Sequence, residues 1–518
     1  MTQRPATALM PWRLAFVAGV VLLCLIAVVA RAGETYDLTA TPNAADAQRV
    51  SIELELGGKL LAKEWSLEEA GNEEGKEQAV PVNVTAHLVY DERTINARRS
   101  VRWYQTAEAT IQSGAGVRAP RLPASKRLIV ADQAATGRAT LRASDIALTR
   151  TELDLVDIVG DARALDLLLP GESLEKGGEW QAADTAMAAL LGLDTVSVCD
   201  VKGVLDSGNK RYARFQLAGV VHGVVDAATT EFDVRAIGLF DRNPHQVTQL
   251  NLAMPEKRAI GPATPGLEAT AKAKIKRTPA APPSQLIGPA IEAIADATPS
   301  DALVLQARRQ GFRVAHGRDW FLTGEAAEAV TLRRIDATGL TAQTTLKQLP
   351  PKAESRLPTP EKFQQEIQYS LGDAFEHLVS SEQWTNPAGC RVMGLVVRGK
   401  AKGVPLEWRY YLAMPPAPAE EEGADEQGAN TEDTPRHMVS VVTTVEQALV
   451  KRVGKADRKL VDAVELVKPQ KSSDTIAQAE APAAKPSTPP TTKRRRVVRT
   501  AKKKPSTSRR QRGSIRRR

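Results

Sequence analysis

The sequence predicts a multidomain protein: an N-terminal antiparallel β-rich domain, a C-terminal α+β domain and a disordered basic tail. Three observations carry this expectation. Val50, Ile52, Leu54 and Leu56 alternate with Ser51, Glu53 and Glu55, the period of a strand with one wet and one dry face. Phe363, Ile367, Leu371, Phe375 and Leu378 recur at helical spacing among strand-like runs, the pattern of a helix packed on a sheet. From Pro469 onward Ala, Pro, Ser, Thr and Lys lead into KRRR, KKK and RRR clusters, a composition that cannot build a core.

The first 32 residues form an address. Arg4 and Arg13 flank the start of an uncharged run from Leu14 to Ala30, followed by Ala30-Arg31-Ala32. A positive start, an apolar stretch and a small-x-small site describe a secretory signal. Seventeen apolar residues also sit at the lower limit for a membrane anchor. Both readings place Gly33 onward outside the cytoplasm, with the Arg4/Arg13 side inside. If the segment is not cleaved, residues 14–30 hold the chain at the membrane. Cys24 follows Val21-Leu22-Leu23 rather than a small residue, so lipidation is not expected.

Residues 33–277 read as the β-rich domain. The alternation at Val50–Leu56 ends at Gly57-Gly58, a turn signal. Trp65 to Ala79 is charged and reads as a loop, and Val82, Val84, Ala86, Leu88 and Tyr90 alternate again. Further strands are expected at Arg127–Val130, Val196–Val201, Tyr212–Val225 and Glu231–Phe240, with one helix at Ala182–Leu193. Pro and Ala concentrate at Thr278–Ser284 and again at Thr298-Pro299-Ser300, so residues 278–300 read as a linker interrupted by a turn at Ile287–Ile294.

Residues 301–468 change character. Strands are expected at Phe312–Ala315, Val330–Asp336, Thr341–Leu346, Arg391–Arg398, Leu406–Leu412 and His437–Thr444. Thr359-Pro360 is an N-cap and first-turn pair for the helix carrying Phe363 to Leu378. Val445–Val453 and Asp457–Val467 suggest closing helices, with all helices on one side of the sheet. Residues 413–436 hold seven acids with clustered Pro and Gly and read as a disordered acidic insertion within a hairpin.

The 301–468 segment resembles the PsbP-like fold. The resemblance rests on Val330–Asp336, Pro360–Leu378, Val392–Arg398 leading into Glu407-Trp408-Arg409-Tyr410-Tyr411, and the closing Val445-Glu446 and Asp457–Val461. The whole chain looks like uncharacterised exported proteins of planctomycete-type bacteria, on Leu174–Trp180, Leu190–Asp194 and Ala259–Leu267. The PsbP-like resemblance implies binding or assembly rather than catalysis, and brings no catalytic residues to this chain.

Charge is split along the sequence. Of a net charge of +9, fifteen cations and no acid lie between Lys485 and Arg518, which leaves −6 for residues 1–484. The polyanion-binding candidates are Lys493, Arg494, Arg495, Arg496, Arg499, Lys502, Lys503, Lys504, Arg509, Arg510, Arg512, Arg516, Arg517 and Arg518. Such a tail binds polyanions by counterion release. It has no aromatic residue to stack on bases, and the export signal turns the expectation from nucleic acid to anionic envelope polymers or lipid headgroups. The acidic residues Glu420–Asp433 are the alternative, intramolecular partner expected for the tail.

Candidate chemistry is sparse. Leu205-Asp206-Ser207-Gly208 matches the core of an aspartic-protease motif, but a second carboxylate is needed and Asp336-Ala337-Thr338-Gly339 carries an inserted residue; a hairpin turn explains Asp206–Asn209. Gly394–Ala401 approaches a P-loop but has Ala401 where Ser or Thr would hold magnesium. The six histidines, His87, His222, His245, His316, His377 and His437, have no ligand spacing. Trp180, Trp320, Trp384 and Trp408 read as core, with a ligand pocket as the alternative. Cys199 and Cys390 lie too far apart for a disulfide framework. The expectation is a non-enzymatic, cofactor-free exported protein that binds or scaffolds in the envelope. The alternatives are a carrier of an apolar ligand in the concave face of the N-terminal sheet, or an unrecognised hydrolase.

Overall fold

The computed structural model describes residues 34–469, apart from 42–46, 65–75, 115, 145, 297–299, 353–356 and 417–435. These residues belong to one unit, which ends at Lys471. Residues 1–32, the acidic residues 420–433 and the basic tail lie outside the described residues.

The first region is strand after strand: β1 (Thr35–Asp37), β2 (Ala47–Glu64), β3 (Lys76–Thr94), β4 (Arg99–Ser113), β5 (Gly116–Arg118), β6 (Leu128–Gln133) and β7 (Ala139–Ala143). Helices α1 (Arg150–Val156) and α2 (Ala164–Leu167) follow, then β8 (Ser173–Glu175), β9 (Glu179–Gln181) and α3 (Asp184–Leu191). A meander completes it: β10 (Thr195–Gly208), β11 (Tyr212–Val225), β12 (Ala228–Asp241), β13 (Gln246–Arg258) and β14 (Gly266–Ala280). Apart from β1 and β8, which pair with each other, these strands form one twelve-stranded antiparallel sheet, ordered β7-β6-β4-β3-β2-β14-β13-β12-β11-β10-β9 with β5 beside β4.

The seam of this sheet is β2 against β14, strands from the two ends of the region. Glu55 stands opposite Lys272, Glu53 opposite Lys274 and Lys59 opposite Glu268, with Lys59 Nζ 2.8 Å from Glu268. The other face of the seam is dry: Ile52 meets Ile275 and Leu54 meets Ala273. Gly57-Gly58 does not end β2, as the sequence led one to expect. A Cβ on Gly58 would lie 2.5 Å from Ala269 Cα, so glycine is there for close backbone approach, and β2 continues to Glu64. β3 likewise begins at Lys76, inside the stretch expected as a loop.

The inner face of the sheet is filled by the segment between β7 and β10. Thr149 caps α1 and forms a reciprocal capping box with Glu152. Gly192, at φ 71°, ends α3 in the left-handed conformation. Leu153, Val156, Leu165, Leu168, Met187 and Leu190 from these helices share one core with Ile52, Leu88, Tyr104, Phe215, Phe232 and Leu252 of the strands. The space beneath them, lined by Ile52, Tyr90, Arg102, Tyr104 and Ala189, is ≈ 20 Å³, about the room of one water. An apolar cargo on this face would have to displace the helices.

Residues 278–300, expected as a linker, are largely fastened to the sheet. β14 runs through Pro279 to Ala280, and α4 (Pro289–Asp296) follows a short 3-10 turn. Leu286 and Ile291 are buried beside Val101, and Arg93 and Arg99 donate to the carbonyls of Leu286 and Ile294 at 2.8 and 2.7 Å.

The second region contains β15 (Leu303–Ala307), β16 (Phe312–His316), β17 (Trp320–Glu325), β18 (Ala329–Asp336), β19 (Gly339–Lys352), α5 (Pro360–Leu371), β20 (Phe375–Thr385), β21 (Arg391–Ala401), β22 (Val404–Met414) and β23 (Arg436–Glu446). It closes with α6 (Val450–Val453), α7 (Ala456–Asp462) and β24 (Val464–Leu466). Seven strands form an antiparallel sheet, β17-β18-β19-β23-β22-β21-β20, and β15-β16-β24 form a smaller one. The acidic insertion joins β22 to β23, which pair directly.

Two expectations are corrected here. The helix carrying Phe363 and Ile367 stops at Leu371, because Gly372 turns the chain at φ 49°. Phe375 and Leu378 then lie on edge strand β20 and still pack beside Phe363 and Ile367. The helices also cover both faces of the sheet rather than one. α5 packs on the face of Leu395, Val397 and Trp408, whereas α6 and α7 pack on that of Tyr411, Ala413 and Val441. β21 and β22 have buried residues on both sides, so each face needs a cover. The closing helices are correspondingly shorter than the sequence suggested, since β23 runs to Glu446 and β24 takes Val464–Leu466.

The regions are joined by backbone and arginine contacts. Val304 N–H donates to Leu148 O at 2.9 Å, Arg150 to Arg318 O at 2.7 Å and Arg333 to Pro262 O at 2.7 Å. No helix among the described residues is long and apolar enough to cross a membrane.

Candidate functional site

In the second region a cleft of ≈ 590 Å³ opens between the β16–β17 corner, β18 and α7. One wall begins where β16 ends at His316. The chain turns at Gly317–Asp319, closed by the Trp320 N–H donating to Gly317 O at 3.1 Å, and re-enters as β17. Pairing sets Trp320 opposite Arg334 of β18. The facing wall is α7 with its C-cap residue Ala463; Ala456, Lys459, Leu460 and Ala463 fall on one side by their spacing. Alanines at 302, 315, 456 and 463 leave the space that larger side chains would fill.

The charges in this cleft are unevenly paired. Arg334 Nε donates to Asp319 Oδ2 at 2.6 Å, while its Nη1 is buried with no acceptor. Lys455 and Lys459 are exposed on the rim. Behind the corner, Arg150 stacks over the Phe321 ring at 4.4 Å. The Nε atoms of Arg150 and Arg318 are also buried without acceptors. His316 is buried, and Nδ1 meets Gly317 O at 2.9 Å. Burial first, and then the charge of Arg150, hold His316 below its ordinary value. The imidazole is therefore kept neutral, which suits an already cationic surrounding.

The first region holds a contrasting polar group. Arg102 lies under the helices with 3 % of its side chain exposed, 2.8 Å from Glu92 and 2.6 Å from Asp161. Its guanidinium stands over the Tyr90 ring at 5.1 Å. The Tyr90 and Tyr104 hydroxyls have no partner, and burial pushes Tyr104 up to about 12. This group is closed from solvent and holds the inner face together. A similar staple joins α7 to β22, where Arg409 contacts Glu407 and Asp457 at 2.9 and 2.6 Å.

The sequence candidates fall mainly on scaffold. Asp206 pairs with Arg214 at the end of β10, and Asp336 pairs with Arg452 in the second region; the two carboxylates share no site. Gly394–Ala401 is the middle and end of β21, without the loop and helix a P-loop requires. Among the described residues no group of His, Cys, Asp and Glu could hold a metal. Trp180 and Trp408 are core. Trp384 donates to Asp462 at 2.8 Å beneath the Arg458 guanidinium. Trp320 is buried and also lines the cleft. Cys199 and Cys390 are both free thiols. The fourteen basic candidates from Lys493 to Arg518 lie outside the described residues. Sequence reading did not find the cleft, because its walls come from residues 302–334 and 453–463 and no local pattern links them.

The fold and site define an antiparallel β protein with an open, cation-rich cleft. No protein-family model matches the chain, and no curated protein does. Among solved structures, the immunity protein TplEi of T6SS from Pseudomonas aeruginosa aligns over 49% of this chain and 96% of its own, at 8% identity and a TM-score of 0.19. The translocator domain of autotransporter NalP from Neisseria meningitidis aligns over 84% and 95%, at 9% identity and 0.11. The outer membrane protein OprD from Pseudomonas aeruginosa aligns over 79% and 95%, at 7% identity and 0.11. Scores this low carry no argument about fold or function.

Proposed function

We propose that this chain is an exported, non-enzymatic binding or scaffolding protein whose basic tail contacts anionic envelope components. The observation that carries the reading is the tail itself: fifteen cations without an acid from Lys485, after a start that has the form of an export signal. The folded body supports it by what it does with its own charges. Arg99, Arg102, Arg138, Arg277 and Arg409 are all committed to carboxylates within the body, so these cations are neutralised inside the fold. A PsbP-like kinship of residues 301–468 belongs to the same proposal, and would favour binding over catalysis.

The test is co-sedimentation with anionic-lipid vesicles and with isolated anionic envelope polymer. The full chain should bind either one or both, with affinity falling steeply as salt rises. A chain ending at Pro469 should lose that binding. Equal binding by the two chains would end the proposal.

A further inference from the structure

We infer that the cleft between the β16–β17 corner and α7 binds a small organic anion, a carboxylate or phosphate ester with a short apolar body. Its ≈ 590 Å³ falls within the range of about 300–1,000 Å³ typical of small-ligand sites. Trp320, Val453, Leu460 and the four alanines offer an apolar surface for the body of such a ligand. The charged part is selected by what surrounds it. Lys455, Lys459 and Arg334 face a single acid, Asp319, which is already engaged by Arg334 Nε.

The cations of the lining decide the sign. A buried guanidinium N–H without an acceptor is costly, and Arg334 Nη1 is in that state. Arg334 lines the cleft with its guanidinium held by Asp319 through Nε, and an anion there gains charge-assisted attraction from it. The layer behind repeats the imbalance, since Arg150 and Arg318 each carry a buried nitrogen with no acceptor. A cation of the same shape would meet three positive groups and gain one already occupied carboxylate. This site is separate from the tail and does not depend on the tail's role.

Bromo-octanoate, which quenches tryptophan fluorescence on contact, tests the inference on the full chain. Quenching should be saturable, should disappear in Trp320→Phe, and should not occur with the matching bromo-octylammonium ion. The double variant Lys455→Glu/Lys459→Glu should weaken bromo-octanoate binding about ten-fold or more. Both lysines are exposed, so this variant keeps the fold, and it leaves every tail cation in place. Three results would overturn the inference: no saturable quenching, equal quenching by the ammonium probe, or undiminished binding in the double variant. Quenching that persists in Trp320→Phe would place the ligand at another of the seven tryptophans and overturn it too.

Discussion

The two regions use the same pair of side chains to opposite ends. In the first, Arg102 is held between Glu92 and Asp161 beneath three helices, and the space beside it is ≈ 20 Å³. In the second, Arg334 is held at one end by Asp319, its other end has no acceptor, and the space beside it is ≈ 590 Å³. The difference lies in what covers the sheet. An inserted segment of helices fills the inner face of the first sheet with Leu and Met, whereas α7 meets the corner of the second with Ala and Lys. An arginine saturated by carboxylates is a staple; one left half-saturated beside a cavity is a candidate for recognition.

The sharpest way to break this comparison is to remove each arginine. Arg102→Ala leaves two carboxylates buried without a counter-charge and should cost about 3–5 kcal/mol. Arg334→Ala strips a partly exposed pair and should cost about 1 kcal/mol or less. Urea unfolding of both variants measures this, and equal losses would show that the two arginines are equivalent. A second contrast is volume. Ala189→Leu pushes into the filled inner face and should cost about 1–3 kcal/mol. Ala456→Leu grows into open space and should leave the unfolding midpoint nearly unchanged, while weakening any ligand in the cleft. Comparable destabilisation by both would mean that the cleft wall is as tightly packed as the inner face.

The smallest effect expected is one of pH. Burial depresses the folded-state value of His316, so the unfolded chain takes up its proton first as pH falls. Stability from this group is intact above the unfolded value of about 6.5 and is lost progressively as pH drops from there toward the folded value. Thermal unfolding followed between neutral and mildly acidic pH should show a decline that is shallower in His316→Gln. Identical slopes in the two proteins would remove His316 from the account.

Much of the sheet was legible because its alternation is written in large residues. Tyr212–Val225 is recovered as β11 residue for residue, and Val330–Asp336 falls within β18. β14 escaped notice although it alternates just as strictly. Its inward positions include Ala269, Ala271 and Ala273, and its end is rich in Pro and Ala, which resembles a linker. The helix Ala182–Leu193 was visible from its continuous apolar run, and Ala186–Leu191 are indeed all buried. α1 and α2 are too short to establish a period. Phe375 and Leu378 continue the spacing of α5 only by coincidence of register, since one glycine moves them to another element that reaches the same core. The cleft was not legible at all. Trp320 and His316 were visible singly, but their relation to Lys455 and Lys459 exists only after the small sheet and the large one have packed.

The seam between β2 and β14 bears on how the chain reaches this structure. Every other neighbour of β14 and β2 is close in sequence, so β2–β4 and β10–β14 can each zip locally, while their union must await residue 266 and beyond. Contacts of such long range are slow to form, and until they do, each half presents a long open edge to any other chain. The alternating Glu53, Glu55 and Lys59 against Lys274, Lys272 and Glu268 then act as a key. Two copies of the β2 edge paired about Leu54 would set Glu53 against Glu55 and Arg49 against Lys59, so the written order of charge disfavours that pairing and steers each late-closing edge toward its own partner.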